Sequence, residues 1–504
     1  MKRDGGEERQ VKIRVQVVDR NQMVLRSVDV ERLIEEDHPA RSIWEFVGRQ
    51  NLEGFYRKIK TVEGGLGRSP WDPRMMITLW VYALSEGVGS AREIERLCEY
   101  KPAYQWITGM EVVNHHSLSD FRVENGDALH RLFIEVLAAL QSEGLVTMKR
   151  VTQDGTKIEA VASKSSFRRE GRLKELLKVA AKQVAELEQP EEGQATSERA
   201  RQAKKRAARE RQERLEAALD ELEKVRASKS GQEEKDNARA SMTDPQARIM
   251  KQSNGGYSPS YNVQLTTDTE EKIIVSVRVS QSGNDYNELV PSIEQAQQNT
   301  GRSPEQVLVD GGYVSIANVR RMHESDREMI GPLPDNAAKT AGFVHIKPFD
   351  PAFHADQFSY DPDLNQYTCP LGETLRYVGQ QTSGADIWYR YKSNPKICAV
   401  CVSQKQCCGN NKSGTRFVKR KGERLPVMAQ FEQRMATDEA KEIYKQRGPV
   451  AEFPNLWIKE KFGARRFRLR GLAKVGIEAL WLCLTYNIVQ WIRISSKPAL
   501  PITP

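Results

Sequence analysis

The chain lacks an apolar leader, a clean membrane-length run and a balanced set of paired cysteines. Its opening residues, Met-Lys-Arg-Asp-Gly-Gly-Glu-Glu-Arg, are polar and cannot form the apolar core of a secretory signal. The one membrane candidate, Gly476 to Ile492, is short and carries Glu478, Asn487 and Gln490, so a buried core helix and no membrane partner are expected. Seven cysteines are an odd number, unevenly placed, with five between Cys369 and Cys408. Without a leader a reduced, cytoplasmic setting is expected, and clustering of this kind suggests metal rather than disulfides. No internal repeat is apparent.

What is present is length and positive charge. At 504 residues two to four folded units are expected. Hydrophobic residues make up 39% and charged residues 29%, enough for a real core under a very polar exterior. The net charge of +9 and pI near 9.0 favour a polyanionic partner such as nucleic acid. Between Lys441 and Arg493 eleven Lys and Arg stand against four Asp and Glu, so the excess is concentrated near the C-terminus.

Residues 11–30 alternate as two short strands around Asp19-Arg-Asn. Helical spacing follows. His38-Pro39 opens a helix with Ile43, Phe46 and Val47 on one face, and Pro73 starts another through Met76, Leu79, Trp80 and Ala83. Ser90 with Glu93 reads as a capping box, and His115-His116 as capping or packing groups before Ser117. A long helix then runs through Leu129, Phe133, Val136 and Leu140. Short helices with tight turns suit a helix-turn-helix DNA-binding unit or an ordinary helical bundle.

At Gly144 the pattern changes. Residues 145–157 read as a strand that ends on Asp154-Gly155. Residues 167–235 are intensely charged, with apolar stripes Leu173, Leu176, Leu177, Ala180 and Val184, then Leu215, Leu219, Leu222 and Val225. A turn at Gln189 to Gly193 would fold them into an antiparallel hairpin with a solvated or DNA-facing surface. A turn-rich basic link at 243–251 leads to alternating strands at 261–268 and 272–280. A helix, a strand ending on Asp310, a second helix and a strand at 329–333 follow, and this order suits a mixed sheet flanked by helices. Residues 335–434 look turn-rich with little helix, and the C-terminal part returns to helix.

Three carboxylates stand at distinctive places: Asp154 and Asp310 at strand ends, and Glu452 in a basic, aromatic stretch. Such a trio can bind two Mg²⁺ or Mn²⁺ ions, which activate a nucleophile and stabilise the leaving oxygen in phosphodiester displacement. Taken singly, each Asp-Gly is also a common turn signal. The cysteines Cys369, Cys398-Ala-Val-Cys401 and Cys407-Cys408 are compatible with one tetrahedral structural Zn²⁺, Cys407 and Cys408 competing for the fourth place, or with free thiols. Cys98 and Cys483 lie on apolar stripes and read as core.

The sequence resembles the DDE transposases of bacterial insertion sequences. It is most similar to the cut-and-paste group whose third carboxylate lies in a Tyr-x2-Arg-x3-Glu-x6-Lys signature. Here the residues are Tyr444, Arg447, Glu452 and Lys459, with one extra residue between Arg and Glu. The likeness continues through Phe462-Gly463, Arg470-Gly471-Leu-Ala-Lys474 and Asn487, and includes Thr243-Asp-Pro-Gln-Ala-Arg248, Tyr261-Asn262 and Leu118-Ser-Asp-Phe121-Arg122. It implies an α/β fold with a ribonuclease-H-like mixed sheet. An N-terminal helical DNA-binding domain would span 1–143, the first core strand 144–166 and an inserted charged helical hairpin 167–240. The core would resume over 241–334, be interrupted by a cysteine-containing insertion over 335–434, and close with helices over 435–504.

The same resemblance makes Asp154, Asp310 and Glu452 metal ligands. Tyr444, Arg447, Lys459 and Arg470 become DNA contacts, since Arg forks on to phosphate, Lys acts as a point charge, and Tyr444 or Trp457 can stack on a base. The implied enzyme binds terminal inverted repeats and target DNA, cuts with Mg²⁺ and transfers strands, with a homodimer in the active complex on the bacterial nucleoid. The alternatives are a catalytically silent DNA-binding derivative, or a ribonuclease-H-like nuclease that cuts without joining. Seven residues separate Glu452 from Lys459, about two helical turns, which puts them on one face. Pro454 suggests that the helix starts there, leaving Glu452 just before it.

Overall fold

A computed structural model of the chain describes residues 20–59, 69–188, 198–333, 350–409 and 414–495, apart from positions 22, 24 and 26. The first of the two expected N-terminal strands and the turn at Gln189 to Gly193 lie outside these residues. Of the second strand only Met23, Leu25, Ser27 and Val28 are described, none in a strand. The N-terminal region is helical: α1 (Pro39–Gly48), α2 (Pro73–Ser85), α3 (Ala91–Tyr100), α4 (Pro102–Thr108), α5 (His115–Glu124) and α6 (Gly126–Ser142). The starts follow local chemistry. His38 Nδ1 accepts the Ala40 N–H, Asp72 the Arg74 N–H, and proline fills the first position after each cap. The capping box at Ser90 does not form. Its side chain caps nothing, and Glu93 pairs with Arg96 instead.

The chain then enters β1 (Arg150–Glu159) and leaves it as two long helices, α7 (Glu170–Glu188) and α8 (Glu198–Ala227). They form the expected hairpin around Leu173, Ala180, Leu215, Ala218 and Leu222. A two-residue ladder, Phe167–Arg168 with Ala240–Ser241, ties its base. The sheet resumes with β2 (Arg248–Lys251), β3 (Tyr257–Asp268), β4 (Ile274–Ser280), β5 (Gln306–Leu308) and β6 (Glu328–Ile330).

β3 is the longest strand of this sheet. It pairs antiparallel with β1 along one edge, while β2 and β4 share its other edge. β5 and β6 add in parallel beyond β1, and α9 (Leu289–Thr300) and α10 (Ile316–Glu324) supply the crossovers that parallel strands require. The order of strands and helices is the one read from the sequence, except that the basic link also supplies β2.

The cysteine-bearing region is more regular than its composition suggests. β7 (Ser359–Asp361), β8 (Gln366–Thr368), β9 (Thr374–Ser383), β10 (Asp386–Ser393) and β11 (Phe417–Arg424) form a second, wholly antiparallel sheet. The tight loop Gly384-Ala385 joins Ser383 to its partner Asp386, with Gly384 at φ +61, the backbone that a two-residue hairpin demands. This sheet has its own small core of Phe353, Phe358, Tyr367, Leu375, Tyr391 and Val418.

The last part comprises α11 (Pro426–Ala436), α12 (Asp438–Lys445), α13 (Arg447–Leu456) and α14 (Leu472–Ser495). α14 is long and apolar enough to cross a membrane by length and composition. Here it lies in one continuous core that joins the N-terminal helices to the main sheet. Trp80 and Trp481 pack 6.4 Å apart, each indole N–H donating to a backbone carbonyl, of Leu118 and Arg122 respectively, at 3.2 Å. Cys98 and Cys483 are both buried, as expected.

Glu478, Asn487 and Gln490 of α14 all bond backbone. Glu478 accepts N–H groups of Arg468 and Leu469, and Gln490 donates to the Glu271 carbonyl. Asn487 accepts the Ile274 N–H at 2.9 Å and donates to the Ile274 carbonyl at 2.8 Å, docking the helix on the start of β4. Replacing Asn487 with Ala would strand two buried backbone groups, each costing ~1–3 kcal/mol. We predict that Asn487→Ala loses about 2–4 kcal/mol in urea unfolding, with its far-ultraviolet circular dichroism unchanged under native conditions.

Candidate active site

The main sheet gathers polar groups at its centre. Asp154 does not end a strand. It sits in the middle of β1, which continues through Gly155 to Glu159, so the Asp-Gly pair is no turn. Gly155 is there for space. A Cβ at that point would lie 2.5 Å from both Asp285 Oδ1 and Gln264 Nε2, closer than any real contact. Successive residues of a strand face opposite sides, so Asp154 and Gly155 serve different neighbours.

On its own side Asp154 meets α13. Arg447 Nη2 lies 2.8 Å from Asp154 Oδ1, and Asn455 Nδ2 donates to Asp154 Oδ2 at 2.8 Å. The same Arg447 nitrogen lies 3.5 Å from Asp310 Oδ2. Asp310 follows β5 by two residues, and its Oδ1 accepts the Gly312 N–H at 2.8 Å. The two aspartates thus converge on one guanidinium. Burial pushes the Asp154 carboxyl up to about 6; Arg447 opposes that shift, while Asp310 and Asp285 add to it.

Asp285 was not singled out from the sequence. Its Oδ1 accepts the side-chain amides of Asn262 and Gln264, each at 2.7 Å. Gln264 Oε1 in turn accepts from Gln153 Nε2 at 2.8 Å and from the Tyr313 hydroxyl at 2.5 Å. Thr266 completes the chain by donating to Gln153 Oε1 at 2.7 Å. The signal for it was an aspartate in the loop just after β4, together with the polar alternation Asn262, Gln264 and Thr266 along β3.

Glu452 lies inside α13, which runs from Arg447 through Pro454 to Leu456; the helix does not begin at Pro454. Pro449 is tolerated because N–H groups of the first turn have no helical partner. Pro454 cannot donate to the Val450 carbonyl, and the helix relaxes into a π turn, Trp457–Lys461. Glu452 is exposed. Its Oε1 lies 4.0 Å from the Cβ position of Gly448, back along its own helix.

One cleft of about 610 Å³ is lined by Asp154, Lys272, Glu452, Asn455, Lys459 and neighbours. Glu452 and Lys459 therefore do share a wall. Burial and Arg465 push the Lys459 ammonium down, and Asp154 opposes them. Tyr444, on α12, is half-buried; burial raises its pKa and Arg447 opposes that shift. Arg470 is exposed beside Asp244 and is not among the residues lining the cleft.

Asp154 and Asp310 fit a hard cation, since two carboxylates already share one positive group. The third carboxylate is not with them. Among the described residues no three His, Cys, Asp or Glu side chains are grouped closely enough to hold an ion, and this covers Cys369, Cys398, Cys401 and Cys407 as well. His115 Nδ1 lies 2.6 Å from Glu95 Oε2, a packing role.

Asp154 binds its proton more tightly when folded. Its contribution to stability is therefore complete below its ordinary value of 3.8 and lost as pH rises through about 6. Asp154→Asn mimics the protonated form. In chelator-containing buffer we expect it to match the wild type near pH 4 and to exceed it by about 1–3 kcal/mol near pH 8. Urea midpoints across that range check this, and equal stability at pH 8 would mean that Arg447 fully offsets the buried charge.

Two family models match the chain. One, described as Transposase DDE domain, covers residues 368–492, from the cysteine region through α13 and most of α14. The other, Transposase domain (DUF772), covers residues 28–124, which hold α1 to α5. No curated protein matches the chain. The two matches, at opposite ends of the chain, support a DDE-type transposase family for this protein.

Proposed function

We propose that this protein is the transposase of a bacterial insertion sequence. In this reading it binds terminal inverted repeats, cuts DNA there with Mg²⁺ or Mn²⁺, and joins the freed 3′-OH ends to target DNA. The observation that carries it is the convergence of Asp154 and Asp310 on Arg447, beside a cleft that Glu452 and two lysines line. The sheet order β4-β3-β1-β5-β6, with β1, β3 and β4 antiparallel neighbours and β5 and β6 parallel to β1, supports a ribonuclease-H-like core. The hairpin α7–α8 and the second sheet are then insertions in it.

Asp154, Asp310 and Glu452 would hold the divalent ions, with Glu452 turning from Gly448 towards the aspartates. Bound there, two such ions activate the attacking water or 3′-hydroxyl and stabilise the leaving oxygen in line. The protein's own residues do the rest. Arg447 and Asn455 hold the Asp154 carboxylate oriented while the site is filled or emptied. Lys459 and Lys272 neutralise phosphates along the cleft, and Tyr444 lies beside Arg447 to pack against the sugar–base edge. Arg470 reaches DNA outside the cleft. Each transfer is a direct transesterification in which the P–O bond to the leaving oxygen breaks as the new one forms, with no covalent intermediate on the enzyme. Joining two ends calls for a homodimer, working on chromosomal DNA in the cytoplasm.

The test is a cleavage and joining assay on DNA carrying the repeats that flank the gene. With Mg²⁺ the wild type is expected to release 3′-OH ends and form joined products. Asp154→Asn, Asp310→Asn and Glu452→Gln should each lower cleavage by at least ~10²-fold while binding of the repeats persists. Binding without nicking by the wild type would make it a silent DNA-binding derivative, and cleavage without joined products would make it a nuclease.

A further inference from the structure

Three stretches of chain bring five of the seven cysteines to one cavity of about 400 Å³ beside the second sheet: Cys369, Cys398, Cys401, Cys407 and Cys408. Cys369 follows β8 in a tight turn. The Gly372 N–H donates to the Cys369 carbonyl at 2.9 Å, with Gly372 at φ +85, and the Glu373 N–H donates to Cys369 Sγ at 3.2 Å. The Cys369 sulfur is thus held at the turn, facing the cavity it lines. Cys398 and Cys401 form a second turn, with the Cys401 N–H donating to the Cys398 carbonyl at 3.3 Å.

Of the adjacent pair, Cys408 uses its thiol to donate to the Gly414 carbonyl at 3.5 Å, which occupies its proton and leaves Cys407 as the fourth sulfur. Packing does not hold the Cys398–Cys401 turn. Val400 and Val402, which flank Cys401, are 82% and 98% exposed. The core under this sheet is also small and separate from the main one, and cores of that size are commonly stapled by metal or disulfide.

We propose that Cys369, Cys398, Cys401 and Cys407 hold one structural Zn²⁺ in a tetrahedral four-thiolate site. The sulfurs are not yet grouped around a common point, and thiolate sites close on their ion rather than wait preformed. Binding releases the thiol protons to solvent. The buried Arg416 guanidinium, which lines the same cavity, offsets part of the complex's negative charge. A closed four-cysteine set leaves no open position for catalysis, so the ion staples two turns to the sheet and is independent of the DNA chemistry.

The full chain, purified under reducing conditions from zinc-supplied cells, should carry one zinc per chain by elemental analysis. Cys369→Ser and Cys401→Ser should lose it, while Cys408→Ser and the core variant Cys483→Ser keep it. Refolding the wild type with Co²⁺ should give thiolate-to-cobalt charge-transfer bands and the strong visible absorption of a tetrahedral ion, a readout that needs no variant. A wild type that neither carries zinc nor takes up Zn²⁺ or Co²⁺ stoichiometrically would overturn the proposal. So would Cys369→Ser and Cys401→Ser proteins that keep their zinc, or a Cys398–Cys401 disulfide found by mass spectrometry in the protein as isolated.

Discussion

A carboxylate placed in the middle of a central strand is the constraint that the rest of this structure answers. Asp154 is paired on β1 with β3 and its side chain is largely covered, 18% exposed at the edge of the cleft, and an ionised group there is costly unless it is paired and hydrogen-bonded. Both of its partners, Arg447 and Asn455, come from α13. The helix must therefore be held against β1, and the chain spends much of its remaining length doing so. Tyr444 and Arg447 stand on either side of the junction of α12 and α13. Arg434 of α11 pairs with Glu328 on β6 and, at 2.8 Å, with Glu439 of α12, which anchors the approach to that junction on the far edge of the sheet.

Behind α13, α14 plays the same part at larger scale. Its apolar faces fill the space between the N-terminal helices and the sheet, and Glu478, Tyr486, Asn487 and Gln490 bond backbone of neighbouring segments. Tyr486 donates to the Lys272 carbonyl at 2.9 Å, beside the carbonyl and N–H of Ile274 that Asn487 takes. These bonds fix the β3–β4 hairpin, and Lys272 in that hairpin places its ammonium 4.7 Å from the centre of the Phe453 ring on α13. The buried helix, the hairpin and the helix of the cleft are thus locked by a few directional contacts. Apolar packing alone, being non-directional, would leave their relative rotation loose.

Much of this was legible in the residues because burial imposes periodicity. The helix starts at Pro39 and Pro73, the charged hairpin with its two leucine stripes, and the strand–helix alternation around Asp310 all follow from apolar spacing and capping. Glu478, Asn487 and Gln490 rightly marked α14 as a core helix, since polar groups in a core need partners and the protein backbone supplies them. What misled was local chemistry with two meanings. Asp154-Gly155 has the composition of a turn, yet the glycine makes room for Asp285 and Gln264 across the strand. Pro454 has the look of a helix boundary, yet α13 runs through it. Asp285 escaped notice because its importance lies in contacts with residues far apart in sequence, and the second sheet because its strands carry lysine, arginine and glutamine in place of an apolar alternation.

Pro454 weakens the helix that it lies in. A proline in a helix interior removes one backbone bond and crowds the preceding turn, at a cost of ~3 kcal/mol. The π turn after it shifts the hydrogen-bond register, seen in the Phe462 N–H that reaches the Trp457 carbonyl at 2.9 Å. Such a helix is not held straight by its own ladder. What holds it is Asn455, one residue past the proline, whose amide bonds both the Ala451 carbonyl at 3.1 Å and Asp154 Oδ2. A single side chain therefore clasps the turn around the proline and pairs with the Asp154 carboxylate at once. Protonation or substitution of Asp154 changes the group that Asn455 holds, next to the segment that carries Glu452 and Lys459. The weakened backbone makes that segment responsive, and the aspartate sets its position.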